Sequence, residues 1–593
     1  LVTILFSYLL FLSNINHLTS LDTDPAKYTV YSLYFNHDFD LNEFYEDPLI
    51  DSEKQPNFTP PTNSLWGKRT DYITKKIYWI NPSVFIPINS KMYGHFPIGP
   101  SIYQTIFVFT LKLLQFPILS EKQLFEFSES KGLFYSINFK IGEPLQLERI
   151  SSSIVACLIL ISFYFLLKEL NVNSHILYLL IYAFCTSLFT IESQALWQHG
   201  FIELFSIISL ISIYKYINSN RKYYLFLLGF FLTLNFYFRP TSLLISGFIY
   251  FFFLIFNYQH FKKFKIFSLE TLIGAIIVII IFSIINLSIY HHLGGGYFIA
   301  LKDPLHEGIK FDVNGYLERL YYLIFTPSRG LIFFFPYFIF IFFSLKDKKL
   351  LVLKVLCISI IVIYHLFYAF FTIWTAGFSY GNRFFAELNP FFMILILFAY
   401  QTSNVRFKKA FYFLVLISFL IQLHGAYWYE HTTWLCKAGY SEEKLTKSWK
   451  HMQQLFFIEQ IKPWINKEIY YPPEECCILN FTKKNSNFYI DYNNETQNKK
   501  FIFFVLNKYL PKQSCLTFYF NDFSEKIPLF FNVNNQSTKI IISKEVQVQI
   551  ENPKLKKILL NIYSDSKNSF FQFNGYKISK DSCSKNYSKI ILD

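Results

Sequence analysis

Apolar runs of near membrane-spanning length recur along most of the chain. They fall near 1–20, 99–118, 150–167, 175–191, 201–217, 223–238, 241–257, 267–290, 331–345, 351–373, 385–401 and 410–428. A helix needs about 20 apolar residues to cross the hydrocarbon core of a bilayer. The runs stop near residue 428. From about 476 the period changes: short runs at 501–506, 516–520, 528–533, 538–542, 546–550 and 556–563 alternate with Asn, Lys, Ser and Asp. That pattern predicts strands joined by turns. The expected fold is an all-α polytopic membrane domain over 1–429, with a first outer loop over 21–149. A polar connector over 430–475 leads to a small β-rich, sandwich-like domain over 476–593.

Basic residues decide which runs span. Lys215, Arg221 and Lys222 flank one connection, and Lys262, Lys263 and Lys265 fill another. Lys346, Lys348, Lys349 and Lys354 mark a third, and Arg406, Lys408 and Lys409 a fourth. The connections between them carry little positive charge. Cytoplasmic loops collect Lys and Arg. With the N-terminus inside, all four basic loops fall inside only if 99–118 does not span. Lys112 and Pro97, Pro100 and Pro117 favour an interfacial or broken helix there. About eleven spans remain, and the C-terminal domain lies outside. Residues 1–20 lack a basic leader region and a small-residue cleavage site, so they read as the first membrane helix rather than a signal peptide.

Composition agrees. Hydrophobic residues make up 52% and charged residues 16%, against about 25% charged in soluble domains. The net charge of +14 would point to nucleic acid in a soluble protein. Here the basic loops and a Lys-rich tail account for it, so the partner is the lipid bilayer and not nucleic acid. Cys157, Cys185 and Cys357 sit in apolar runs as small packing residues. Cys436, Cys476, Cys477, Cys515 and Cys583 lie in the tail without metal-ligand spacing, where one or two disulfides fit an extracytoplasmic setting.

The chemistry-bearing residues cluster on the outer face. Asp22 and Asp24 follow the first helix in Leu21-Asp22-Thr23-Asp24-Pro25-Ala26-Lys27-Tyr28. They suit a general base or a divalent-cation ligand, or simply a solvated helix end. Asp38 and Asp40 read as solvated or capping residues. His95, in Gly94-His95-Phe96-Pro97, is a ligand, a proton carrier or a structural imidazole. Ser193-Gln194-Ala195-Leu196-Trp197-Gln198-His199-Gly200 joins two helices, and its Gln and His side chains need polar partners. Arg239-Pro240 places a cation at a helix break, which calls for a partner or ligand, or for snorkelling to the interface. Ser328-Arg329 opens the next helical run in a setting suited to an anion. Trp374 to Arg383, with Tyr380 between, supplies aromatic faces that suit a sugar ring or a membrane anchor. No phosphate-binding glycine loop occurs on a strand–helix unit, so ATP-driven transport is not expected.

Taken in order, these segments resemble the GT-C class of membrane glycosyltransferases, which includes protein O-mannosyltransferases and the lipid A aminoarabinose transferase. The resemblance is closer to a little-characterised bacterial branch, and covers about residues 1–430. Lys27 stands where that branch usually has Arg, and Thr326 where it has Ser. The resemblance implies inverting transfer of a sugar from a polyprenyl phosphate carrier to an envelope acceptor. It implies a bacterial inner membrane, with the site on the periplasmic face. Asp22 is then the first choice for the base and Asp24 the alternative. Arg329 is the first candidate for the donor phosphate, with Ser328, Arg383, Arg239 and Lys27 beside it. Gln194, Trp197, His199, Tyr380 and His95 line the substrate pocket. Some relatives use a divalent cation, and the sequence leaves metal binding open. The competing readings are a flippase for lipid-linked glycans, which would carry polar sites at mid-membrane and an internal repeat, and a membrane scaffold whose tail binds carbohydrate or protein.

Overall fold

A computed structural model describes residues 2–13, 23–42, 49–55, 67–80, 85–115, 144–261, 268–305, 311–326, 329–346, 350–372, 374–376 and 379–427. It also describes the strand backbones between 468 and 591. The chain divides into two units: Leu1–Asn57 with Gly67–Tyr429, and Phe58–Trp66 with Glu430–Asp593.

The first unit is a helical membrane domain. Among the described residues, seven helices are long and apolar enough to cross a bilayer: Leu147–Glu169, Gln198–Ser219, Pro240–His260, Leu269–Tyr290, Leu351–Tyr368, Arg383–Gln401 and Val405–Tyr427. Four shorter apolar helices accompany them: Val2–Ser13, His175–Cys185, Tyr223–Phe238 and Pro336–Leu345. The last falls in the run expected at 331–345. A short helix, Leu331–Phe334, stops before Pro336, and the chain continues in tight 3₁₀ turns through Lys346. Proline lacks the amide proton and crowds the preceding turn.

Packing follows side-chain size. Tyr223–Phe238 and Leu269–Tyr290 cross where Gly229 meets the Thr271 carbonyl and Gly274 meets the Phe226 carbonyl. A Cβ at Gly229 would lie 2.0 Å from the Thr271 oxygen, and one at Gly274 would lie 2.2 Å from the Phe226 oxygen. Close backbone approach at small residues is how helices pack where lipid removes the hydrophobic drive between them. The rest of Leu269–Tyr290 faces outward: Ile273, Ile276, Ile280 and Ile284 are all exposed. An exposed apolar face on a bilayer-length helix fits contact with lipid tails.

The expected first outer loop contains more strand than the sequence indicated. Asp24–Phe35 is a helix opened by Pro25 in its first turn. Leu49–Asp51, Ile77–Ile80 and Gly67–Thr70 then form a three-stranded sheet with Ile77–Ile80 central. Phe85–Ile88 and Lys91–Gly94 form a hairpin turned at Asn89-Ser90, both with positive φ. The buried Asp71 carboxylate accepts amide protons from Ile73, Thr74, Asn89 and Ser90 at 2.7–3.1 Å, tying the two sheets. Lys91 lies 2.5 Å from Asp40, which raises the ammonium above its ordinary range. Gly99–Leu113 is a helix of 15 residues packed on Asp24–Phe35, and it covers most of the expected interfacial run at 99–118.

The second unit carries two sheets. Lys500–Leu506, Pro528–Val533, Gln536–Ile541 and Ile558–Ser564 make a four-stranded antiparallel sheet. A seven-stranded sheet is centred on Gln513–Phe523 and Phe571–Ser579. Most of the expected connector at 430–475, and the tail cysteine side chains, lie outside the described residues.

Gly274→Leu should push the two crossing helices apart. The expected loss is about 1–3 kcal/mol for overpacking, read as a lowered melting temperature of detergent-solubilised protein. Gly247→Leu, where nothing lies within 4 Å of an added Cβ, should melt as wild type.

Candidate functional site

The site forms where helices are interrupted. His175–Cys185 ends at Thr186, a wide turn follows over Leu188–Glu192, and Gln198–Ser219 begins only after the extended Trp197. Residues 181–197 are buried throughout, so this segment is an internal turn rather than a surface connection. Irregular backbone at such depth survives only where protein satisfies its polar groups. Ser152 and Ser153 hydroxyls donate to the Ser193 carbonyl at 3.0 and 3.1 Å. Glu148 Oε1 accepts the Leu196 amide proton at 3.0 Å. A second interruption at Arg239–Ser242 separates Tyr223–Phe238 from Leu243–Phe261. A third runs through Asn382, whose side chain accepts the Phe384 amide proton and starts the turns of Arg383–Leu388.

These breaks surround a cavity of about 360 Å³, within the range of small-molecule sites. One wall is Thr23, Pro25 and Ala26, the chain neighbours of Asp24. Gly94 packs against the Pro25 ring, closer than any Cβ would permit, and so carries His95 and Pro97 to the next wall. Pro100 and Ser101 of Gly99–Leu113 extend that wall, Trp197, Gln198 and His199 form a third, Arg239 to Thr241 a fourth, and Tyr297, Tyr368, Arg383 and Phe384 add to the lining. A neighbouring cavity of about 310 Å³ is lined by Phe236, Tyr237 and Phe298, and shares Pro97, Pro240 and Tyr297.

Charge inside the site is paired. Arg239 Nε lies 2.5 Å from Glu387 Oε1, and its other nitrogens reach Tyr368 at 3.1 Å and Gln198 at 3.4 Å. Glu387 is fully buried, with His199 Nδ1 at 2.8 Å and the Tyr364 hydroxyl at 2.7 Å. A buried carboxylate needs such compensation to remain charged. One layer further in, Asn389 donates to Glu203 and Ser187, and Tyr182 donates to Glu203. The Arg383 guanidinium lies 4.3 Å from the Trp197 ring centroid, a cation–π contact. The buried Trp197 indole N–H has no acceptor among the described residues, which leaves a donor in the cavity wall.

The expected site residues divide. His95, Trp197, His199, Arg239 and Arg383 share the cavity. Asp22 and Ser328 lie outside the described residues. Asp24 opens its helix, but its side chain is not among those described. Arg329 does not line the cavity: it is buried, and its guanidinium donates to the carbonyls of Ser379 and Gly381. Lys27 is buried 3.9 Å from Glu148. Gln194 sits behind the wall against Ser193, Phe189 and Arg149. Tyr380 donates to the Ile421 carbonyl away from the lining. No group of three His, Cys, Asp or Glu side chains among the described residues is placed to hold a metal. Sequence reading passed over Glu387, Glu148 and Tyr368. Glu387 carried a signal, being an acidic residue beside an apolar run.

No known family, no curated protein and no solved structure matches the chain.

Glu387→Ala should leave Arg239 without its carboxylate partner. Breaking a buried pair costs about 3–5 kcal/mol, so the melting temperature should fall sharply. Glu387→Gln, which keeps an acceptor for Tyr364, should lie between Ala and wild type. Equal melting of all three would show that the pair carries no stabilising charge.

Proposed function

We propose that the chain is a membrane glycosyltransferase of GT-C type. In this reading it moves a sugar from a polyprenyl phosphate donor to an envelope acceptor on the outer face of a bacterial inner membrane. The observation that carries the reading is one convergence: the 23–26 segment, the Trp197–His199 wall and two arginines border a single cavity. Seven long and four shorter apolar helices overlap the runs expected to span, and with the basic loops read as cytoplasmic the reading puts the cavity on the outer face. We read the two sheets of the tail as a β-sandwich.

The chemistry divides among the walls. The acceptor hydroxyl attacks the anomeric carbon while Asp22 or Asp24 takes its proton. The bond from that carbon to the phosphate oxygen breaks, and the electron pair leaves with the lipid phosphate. Developing negative charge on that phosphate needs a cation positioned in advance. Arg383 borders the cavity and lies over the Trp197 ring, so we assign the role first to Arg383. Arg329 acts at one remove, by tying down the 379–381 turn that leads into Arg383. Trp197 and Tyr297 offer flat apolar faces to a sugar ring, and the adjoining cavity takes the first units of the lipid.

Purified protein incubated with a panel of polyprenyl phosphate sugars should release or transfer one of them. Arg383→Ala should lower turnover by roughly 10²–10³, the scale for losing a preorganised charge stabiliser. Asp22→Asn with Asp24→Asn should abolish it while the protein still inserts and melts normally. Donor binding without any sugar release would favour the flippase reading, and wild-type activity of the double Asn variant would end the assignment of the base.

A further inference from the structure

Leu147–Glu169 lines no wall of the cavity, yet the first turns of its helix touch three of them. Glu148 divides its carboxylate: Oε1 accepts the Leu196 amide proton at 3.0 Å, and Oε2 lies 3.9 Å from Lys27 Nζ. Both side chains are about 97% or more buried. Leu196 immediately precedes Trp197, and Lys27 lies one turn after Asp24 on the same helix. On one side of Glu148, Ser151 donates to Gln104 of Gly99–Leu113 at 2.6 Å, and Tyr103 donates back to the Ser151 carbonyl at 3.1 Å. On the other, Arg149 donates to Gln194 at 3.4 Å, and Ser152 and Ser153 hold the Ser193 carbonyl. Residues 148–153 are therefore a polar spine behind the cavity, inside an otherwise apolar helix. A row of buried polar side chains costs free energy unless its bonds are made, and every one of these bonds reaches a segment that forms a wall.

The geometry points to Glu148 as a positioning residue that fixes the distance between the start of the Asp24–Phe35 helix and the Trp197–His199 wall, with Lys27 as its partner. The inference rests on the transferase reading for its kinetic consequence, but not for its structural one. Lys27 then works by holding in place the helix that starts at Asp24, not by meeting the donor phosphate. A carboxylate suits this place because it has two acceptor oxygens at a fixed angle, one for a backbone amide and one for an ammonium. Misplacing a catalytic group by about 1 Å costs on the order of 10² in rate.

Hydrogen exchange and kinetics on the full chain in detergent test this separately. Glu148→Ala should raise amide exchange in both the 23–28 and 193–199 segments, with the other membrane helices unchanged. Glu148→Gln keeps an acceptor for Leu196 and loses the ion pair, so only 23–28 should loosen. This second variant also guards against a failure of the alanine variant to fold. Glu148→Gln and Lys27→Met should each lower kcat roughly 100-fold with the donor KM unchanged, and the double variant should fall no further. Unchanged exchange in both segments would overturn the clamp whatever the kinetics show. A raised donor KM with intact kcat in Lys27→Met would return Lys27 to the phosphate and overturn the positioning role. An inactive wild-type enzyme with the expected exchange pattern would reject the transferase reading and leave the clamp standing.

Discussion

The membrane domain is organised around a charge that cannot be left alone. Arg239 stands at a helix break with little access to water, and Glu387 is wholly buried. Desolvating either ion unpaired would cost several kcal/mol, so the segments that carry them must meet. His199 and Tyr364 complete the hydrogen bonding of the carboxylate from two further helices. Four segments distant in sequence are thereby brought to one place, and the cavity is the space their side chains leave open.

The same logic explains where the helices break. An unbroken helix satisfies its own backbone and offers a ligand only side chains. At 186–197, 239–242 and 379–388 the backbone is freed from the helical ladder, and its amides and carbonyls need other partners. Glu148, Ser152 and Ser153 supply them for the first break, and Asn382 and Arg329 for the third, Arg329 gripping its Ser379 and Gly381 carbonyls. Arg329 thus looks like an anion ligand in the sequence and serves as a brace in the fold. Both uses draw on its fan of planar donors.

The apolar helices outside this centre do simpler work. Leu269–Tyr290 shows most of its aliphatic side chains outward and touches its neighbour through two glycines. Its packing depends on shape rather than polarity, as expected where the surroundings are as apolar as the side chains. The three breaks and the spine at 148–153, by contrast, are held by buried hydrogen bonds and ion pairs.

The sequence by itself located the seven helices that, among the described residues, are long and apolar enough to cross a bilayer, because apolar length is a local property that each segment carries alone. It also marked five cavity residues, His95, Trp197, His199, Arg239 and Arg383, since each stands out from its apolar neighbours. Strands at 49–94 were hidden, because each is only three or four residues long and the turns between them rest on the buried Asp71 carboxylate. Whether a given arginine faces a ligand or a carbonyl was equally hidden. Arg239, Arg329 and Arg383 sit in similar turn-like stretches, and only their neighbours in space assign one to Glu387, one to the 379–381 turn and one to Trp197. Tertiary structure alone decided these roles, because a buried charge is defined by the partner that compensates it, and that partner lies far away in the chain.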